Sequence, residues 1–177
     1  MIRVGDIDIA RVVEYEGPLF MPTELLPDAQ SEALEKELAW LVPRHYDTAS
    51  RKLVNCVQGF AFRTRHHAFV IDTCVGNAKQ NRRKPEWNGG DWPYLANLAA
   101  AGLAPEEVDF VVLTHLHVDH VGWNTRPDGK GGWTPTFPNA KYLIVRDELA
   151  AFEAKAAAGG QNRAIFDDSL QPVLDAG

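Results

Sequence analysis

Residues 109–122 read Asp109-Phe110-Val111-Val112-Leu113-Thr114-His115-Leu116-His117-Val118-Asp119-His120-Val121-Gly122. The first part, Asp109 to Thr114, is short and almost wholly apolar, the pattern of a strand buried on both faces. The part that follows holds three of the chain's six histidines, a density that scattered surface histidines do not reach. In extended chain, residues two apart point to the same side, so His115 and His117 can converge on one cation. Asp119 and His120 come as the chain turns away, where a carboxylate and an imidazole can face a second cation close by. Imidazole and carboxylate donors together suit zinc, and also iron or manganese. A buried strand is the rigid base that such a site requires. The stretch therefore predicts a site for two divalent ions built from His115, His117, Asp119 and His120.

Working outward, Ile2 to Val4 and Ile7 to Val13 are β-rich and flank Gly5-Asp6, which predicts an opening hairpin. Pro18, Pro22 and Pro27 make the next stretch largely irregular. Ser31 is placed to cap a helix reaching Leu41, with Leu34, Leu38 and Leu41 as its apolar stripe and Pro43 as its stop. Leu53 to Arg63 and Ala68 to Asp72 read as two strands joined by a tight turn at Thr64 to His67. Residues 76–92 lack periodicity and read as a long loop, and such loops often border functional sites. Asp91 is placed to cap a helix through Leu95, Leu98 and Ala99 that Gly102 ends. Downstream lie a Gly-rich turn from Arg126 to Gly132, a strand from Lys141 to Val145 and a helix from Asp147 to Ala157. After Gly159-Gly160 only a short segment is expected.

Of the 177 residues, 45% are apolar and 24% charged, ordinary for a folded domain large enough to bury its own core. A net charge of -6 argues against a non-specific grip on nucleic acid, which needs clustered Lys and Arg. The densest basic run, Arg82-Arg83-Lys84, falls in the long loop and reads as solvated. No apolar run approaches bilayer length, and the N-terminus lacks the pattern of a secretion signal. The expected location is the cytoplasm, with no membrane partner. Cys56 and Cys74 lie in β-like apolar segments and read as buried, reduced thiols.

The stretch Val112 to Gly122 resembles the metal-binding signature of the metallo-β-lactamase superfamily. Val70-Ile71-Asp72-Thr73 is similar to that family's strand ending in Asp-Thr-Gly, with Cys74 standing where the glycine is usual. The order of elements agrees over most of the chain. The resemblance implies an α/β (α+β) fold, the αββα sandwich of two facing sheets with helices outside. Residues 1–177 would be its N-terminal portion, cut short at the C-terminal end. It implies that His115 and His117 bind the first metal, Asp119 and His120 bind the second, and Asp72 steadies the motif loop. An ordinary strand-end Asp capping a turn competes with that role for Asp72. The implied activity is hydrolysis of a small ester, lactone, thioester or phosphotriester. Water held by two cations loses a proton near neutral pH, and the hydroxide attacks the substrate, with Asp119 orienting it as the catalytic carboxylate. Among the tryptophans expected in loops, Trp123 is three residues past His120 and is the candidate wall of a substrate pocket.

Counting donors exposes a shortage. The motif offers two protein ligands per cation, whereas catalytic zinc usually has three, and no histidine follows His120. The family's remaining ligands come from later in its chains. His45, His66 and His67 lie upstream, and strand neighbours face opposite sides, so at most one of the last pair could turn inward. One account is a portion of a longer enzyme; another is a non-catalytic protein that acts through interaction. Half a sandwich leaves a sheet face to be covered, which predicts either a homodimer or further chain. An iron-dependent oxidoreductase on the same fold is the rival chemistry, although its di-iron branch carries Glu where this chain has His117. The expected outcome on purification is little retained zinc by elemental analysis. Tightly held, near-stoichiometric metal in a monomer would contradict it.

Overall fold

The computed structural model describes residues 1–177, with Ser31 placed only as the first residue of a helix. Two compact units share the chain: Tyr15–Val57, and Met1–Glu14 together with Gln58–Gly177. Strand β1 (Ile2–Val4) pairs antiparallel with the start of β2 (Ile7–Phe20) around Gly5, whose φ of 62° suits the tight turn. Beyond Glu14, β2 stays extended through Gly17 and Pro18 to Phe20, where proline punctuation predicted irregular chain. Proline removes a donor but keeps an extended φ, so it interrupts the ladder without ending the strand. The smaller unit continues with α1 (Pro22–Leu25) and α2 (Ser31–Leu41). Gln30 occupies the N-cap of α2, and the capping role expected of the Ser31 side chain lies outside the described residues. Strand β3 (Tyr46–Asp47) then pairs with the start of β4 (Lys52–Arg63).

In the larger unit, the second half of β4 pairs antiparallel with β5 (Ala68–Ile71), from Phe60↔Ile71 to Arg63↔Ala68. Parallel neighbours require a crossover, and α3 (Tyr94–Ala100) lies in the one that leads to β6 (Phe110–Val112). The chain next forms the four-residue helix α4 (Val118–Val121) and the hairpin of β7 (Thr125–Pro127) with β8 (Trp133–Pro135). Strand β9 (Lys141–Leu143) returns parallel to β6. The main sheet therefore runs β1-β2-β4-β5-β6-β9. Ala68, Val70 and Val111 of one sheet face, with Tyr94 and Leu98 of α3, are almost fully buried. On the alternate face Phe62, Phe69 and Phe110 stack in a row at 5.0 and 5.1 Å and stay half-buried. Strand β6 is thus buried on one face only, because a three-residue strand alternates as any strand does. Cys56, expected inside, is exposed on β4, while Cys74 is fully buried.

Asp91 does not cap α3, which has Pro93 at its N-cap. Its carboxylate instead accepts from Asn77 Nδ2 at 3.2 Å, while Asn77 Oδ1 accepts the Trp92 amide at 2.7 Å, folding the 76–92 loop on itself. The end of the chain is more ordered than expected: α5 (Arg146–Ala157), α6 (Gly160–Ile165), a π-helical turn at Phe166–Leu170 and α7 (Gln171–Ala176). Among the described residues, no helix is long and apolar enough to cross a membrane.

A buried ion cluster ties the π turn to the loop. Lys79 Nζ, wholly inside, donates to Thr125 Oγ1 at 2.6 Å and to the Asp168 carbonyl at 2.9 Å, 3.5 Å from the centre of the Trp133 ring. Burial pushes the Lys79 ammonium down to about 7, against the upward pull of Asp168. Arg82, expected in a solvated run, is 5% exposed and donates to Asp168 Oδ1 at 2.8 Å. Asp168 Oδ1 also lies 3.7 Å from Lys79 Nζ, so one carboxylate faces two buried basic groups. Asp168→Ala should lower the unfolding free energy by about 3–5 kcal/mol, since it strands both charges. Urea denaturation measures this, and a loss below about 1 kcal/mol would mean that the cluster is not coupled in this way.

Candidate metal centre

Strand β6 ends at Val112, and the next residues run irregularly to His117, which occupies the N-cap of α4 in an extended conformation. The motif is held from behind by the turn that follows β5. Thr73 N donates to the His120 carbonyl, Gly122 N to that of Cys74 and Trp123 N to that of Thr73, each at 2.7 Å. Thr73 Oγ1 adds bonds to the His120 carbonyl at 3.1 Å and Asn124 Oδ1 at 2.9 Å. The two loops touch through glycine: a Cβ on Gly122 would run into the Val75 carbonyl, and one on Gly76 would meet the Gly122 backbone at 2.7 Å. Asp72 and Cys74 take φ of 57° and 51°. The left-handed region disfavours side chains, which gives a physical reason for glycine at the Cys74 position in the related pattern.

Asp72 is 8% exposed, and its hydrogen bonds define the site's back wall. Oδ1 accepts the Thr114 amide at 2.8 Å; Oδ2 accepts Thr114 Oγ1 at 2.7 Å and His120 Nδ1 at 2.8 Å. An ionised carboxylate only accepts, so His120 carries its proton on Nδ1 and, in the neutral ring, turns a lone pair outward on Nε2. The Thr114 hydroxyl spends its proton on Asp72 and so accepts from His115 Nδ1, 3.1 Å away. That leaves the His115 Nε2 lone pair facing the site. Burial raises the Asp72 carboxyl, but His120 and the two Thr114 bonds outweigh it and hold it below the ordinary value. Burial lowers His120, yet the Asp72 bond and the Asp119 charge lift it above its ordinary value. His115 is lowered by burial and by the two neighbouring imidazoles.

The donors come together in two pairs. His115 Nε2 and His117 Nδ1 are 3.1 Å apart, and the rings of His115 and His120 are 3.9 Å apart. Two nitrogens bound to one tetrahedral ion at 2.0–2.1 Å would be roughly 3.3 Å apart, so the first pair fits the edge of a coordination shell. Asp119 Oδ2 and His120 Nε2, 3.6 Å apart, form a second edge of similar span. Among the described residues, no group of three or more His, Cys, Asp and Glu is arranged to hold one ion. Each pair thus fits half a shell. His66 and His67 stay on the exposed turn at the far end of β5 from Asp72, and His45 is exposed in the smaller unit.

The structure places Trp123 in the core and not along a pocket wall. Its ring is 4% exposed, stacked on Tyr94 at 5.4 Å, and its Nε1 donates to Glu14 Oε1 at 2.7 Å. Glu14 itself escaped the sequence reading. It is 3% exposed and also accepts the amides of Val75 at 2.8 Å and Gly76 at 2.9 Å. The available signal was its phase: Glu14 falls on the same strand face as Val12, which is wholly buried.

Comparison with known proteins points the same way. A model of the Metallo-beta-lactamase superfamily matches residues 58–153. N-acyl homoserine lactonase AttM of Azorhizobium caulinodans is 33% identical over 106 residues, 52% of this chain and 36% of that protein. A probable metal-dependent hydrolase from Staphylococcus aureus aligns with a TM-score of 0.71 at 19% identity, over 96% of this chain and 57% of its own. AidC, a dizinc quorum-quenching lactonase solved with a product homoserine, aligns with a TM-score of 0.70 at 19% identity, over 99% and 57%. The chain therefore spans little more than half the length of these solved relatives, and at such identities they speak for the fold alone.

Burial raises the Glu14 carboxyl from 4.5 to about 7, with the Asp119 charge adding to it and the three N–H donors opposing. A carboxyl that holds its proton more tightly when folded contributes stability that is full below pH 4.5 and is lost as pH rises through about 7. The urea midpoint of the wild type should therefore fall relative to that of Glu14→Gln between about pH 5 and about pH 8. Parallel curves would contradict this.

Proposed function

This chain belongs to the metallo-beta-lactamase superfamily, and on that premise we propose that it supplies the metal-binding portion of a hydrolase acting on a lactone or related small ester. The observation that carries the reading is the donor geometry: His115 and His117 on one edge, Asp119 and His120 on the other, with His120 oriented by Asp72. His115 and His117 would hold one divalent ion, and Asp119 and His120 a second. Zinc suits imidazole and carboxylate donors, and iron or manganese would be accepted by the same set. When bound, such ions supply Lewis acidity and make water a stronger acid.

The chain's own residues do the rest. Asp72 fixes the His120 tautomer, the arrangement that orients metal-bound imidazoles. The Thr114 hydroxyl, held by Asp72, fixes His115 in the same way. Asp119, besides its place beside His120, would orient the water that attacks the substrate carbonyl and accept its proton. Support for a lactone among small esters comes from AttM, named as an N-acyl homoserine lactonase, and AidC, described as a lactonase. The ligands missing from each shell would come from outside residues 1–177.

The test uses the protein encoded by the complete reading frame, reconstituted with zinc and offered N-acyl homoserine lactones. Ring opening releases acid, which a pH indicator follows. His115→Ala should lower kcat/KM by about 100-fold or more, beyond the 10–100-fold typical of losing an outer-sphere partner. Full activity in His115→Ala, or no turnover of lactones, esters, thioesters or phosphotriesters by the wild type, would sink the proposal.

A further inference from the structure

We propose that Glu14 is a positioning residue of the metal centre, its buried carboxylate clamping the two loops that present Asp72 and His120. The inference rests on reading these residues as the centre's orienting carboxylate and one of its donors. Glu14 sits on β2, remote in sequence from either loop, yet uses both oxygens on them. Oε2 accepts the Val75 amide and Oε1 the Gly76 amide, both from the turn that begins at Asp72. Oε1 also accepts Trp123 Nε1, from the segment that begins at His120. All three partners are N–H donors, a set that a carboxylate satisfies and a carboxamide cannot, since the NH2 of Gln would face another N–H.

The clamp matters because the turn that it grips is conformationally costly. Asp72 and Cys74 both lie at positive φ, and such residues persist only where their surroundings over-determine them. The same turn bears on His120 twice. Its backbone reaches the His120 carbonyl through Thr73, and its Asp72 side chain reaches His120 Nδ1. A shift of Val75 and Gly76 therefore moves the ring's orienting carboxylate and its backbone anchor together. Trp123, stacked on Tyr94 and bonded to Glu14, fixes the other side of the same junction. Among the described residues the hydrogen-bond partners of Glu14 are Val75, Gly76 and Trp123, none of them a candidate metal donor, and it acts through these groups.

The experiment compares wild type, Glu14→Gln and Trp123→Phe with Val12→Ala, a truncation on the same buried strand face, above the pH at which Glu14 ionises. Thermal unfolding reports stability. Imidazole NMR of His120 and competition with a chromophoric zinc chelator report the site. Glu14→Gln should move the His120 ring signals, leave those of His66 and His67 in place and lower zinc affinity by about 10–100-fold. Val12→Ala should lower the melting temperature with both site readouts unchanged. If Glu14→Gln behaves like Val12→Ala, Glu14 is only a staple of the fold and the proposal is overturned. If Glu14→Gln does not fold, Trp123→Phe decides: His120 signals at wild-type positions overturn the proposal, displaced signals support it. If the wild type itself takes up no zinc, the metal reading fails, and the His120 signals alone still decide whether Glu14 positions that ring.

Discussion

The Asp72 carboxylate sits where β5 ends, and both of its oxygens are committed to the motif that follows β6. Parallel pairing of β5 with β6 makes this meeting unavoidable, because Phe69↔Phe110 through Ile71↔Val112 brings the ends of the two strands side by side. Asp72 then accepts from Thr114, the second residue past β6, and from His120 on the far side of the turn. One carboxylate thereby ties together both ends of a loop of seven residues, 114–120. The left-handed backbone at Asp72 and Cys74 turns the chain sharply enough to lay Thr73 along the motif. Gly122 and Gly76 let the two backbones come into contact.

Charge buried away from the donors supports this arrangement from two directions. Glu14 gathers amides of the turn and the indole of Trp123, while Asp168 gathers Lys79 and Arg82. A buried charge is tolerated only when its hydrogen bonds are met, and in both cases the partners come from segments far apart in sequence. Lys79 also reaches Thr125, beside Asn124, whose Oδ1 accepts from Thr73. The terminal helical stretch is connected in this way to the wall behind His120. The candidate donors differ from these charges in exposure: His117 is exposed, and His115, Asp119 and His120 are half-buried, so all four can be reached from solution. The separation within each candidate pair, 3.1 Å and 3.6 Å, is close to one edge of a tetrahedral shell. Relatives that share this fold continue well beyond the length matched here.

The sequence by itself determined the family and most of the order of strands and helices, and it singled out the candidate donors. Those signals are local: an apolar run followed by His-x-His-x-Asp-His is readable within one short window, and so is the Asp-Thr strand end. Helix ends and caps were less legible, since Pro93 takes the place expected of Asp91 and Asn77 claims the Asp91 carboxylate. Only the tertiary structure decided which polar residues lie inside. Arg82 reads as solvated in the sequence and nothing there singles out Glu14 or Lys79, because charge usually stays in water. What reverses that expectation is a set of hydrogen-bond partners 46 to 109 residues away in the chain. The same holds for Trp123, whose nearness to His120 in sequence suggested a pocket wall. Its partners Glu14 and Tyr94 place it in the core, because burial is settled by what packs across the fold and not by what stands beside a residue in the chain.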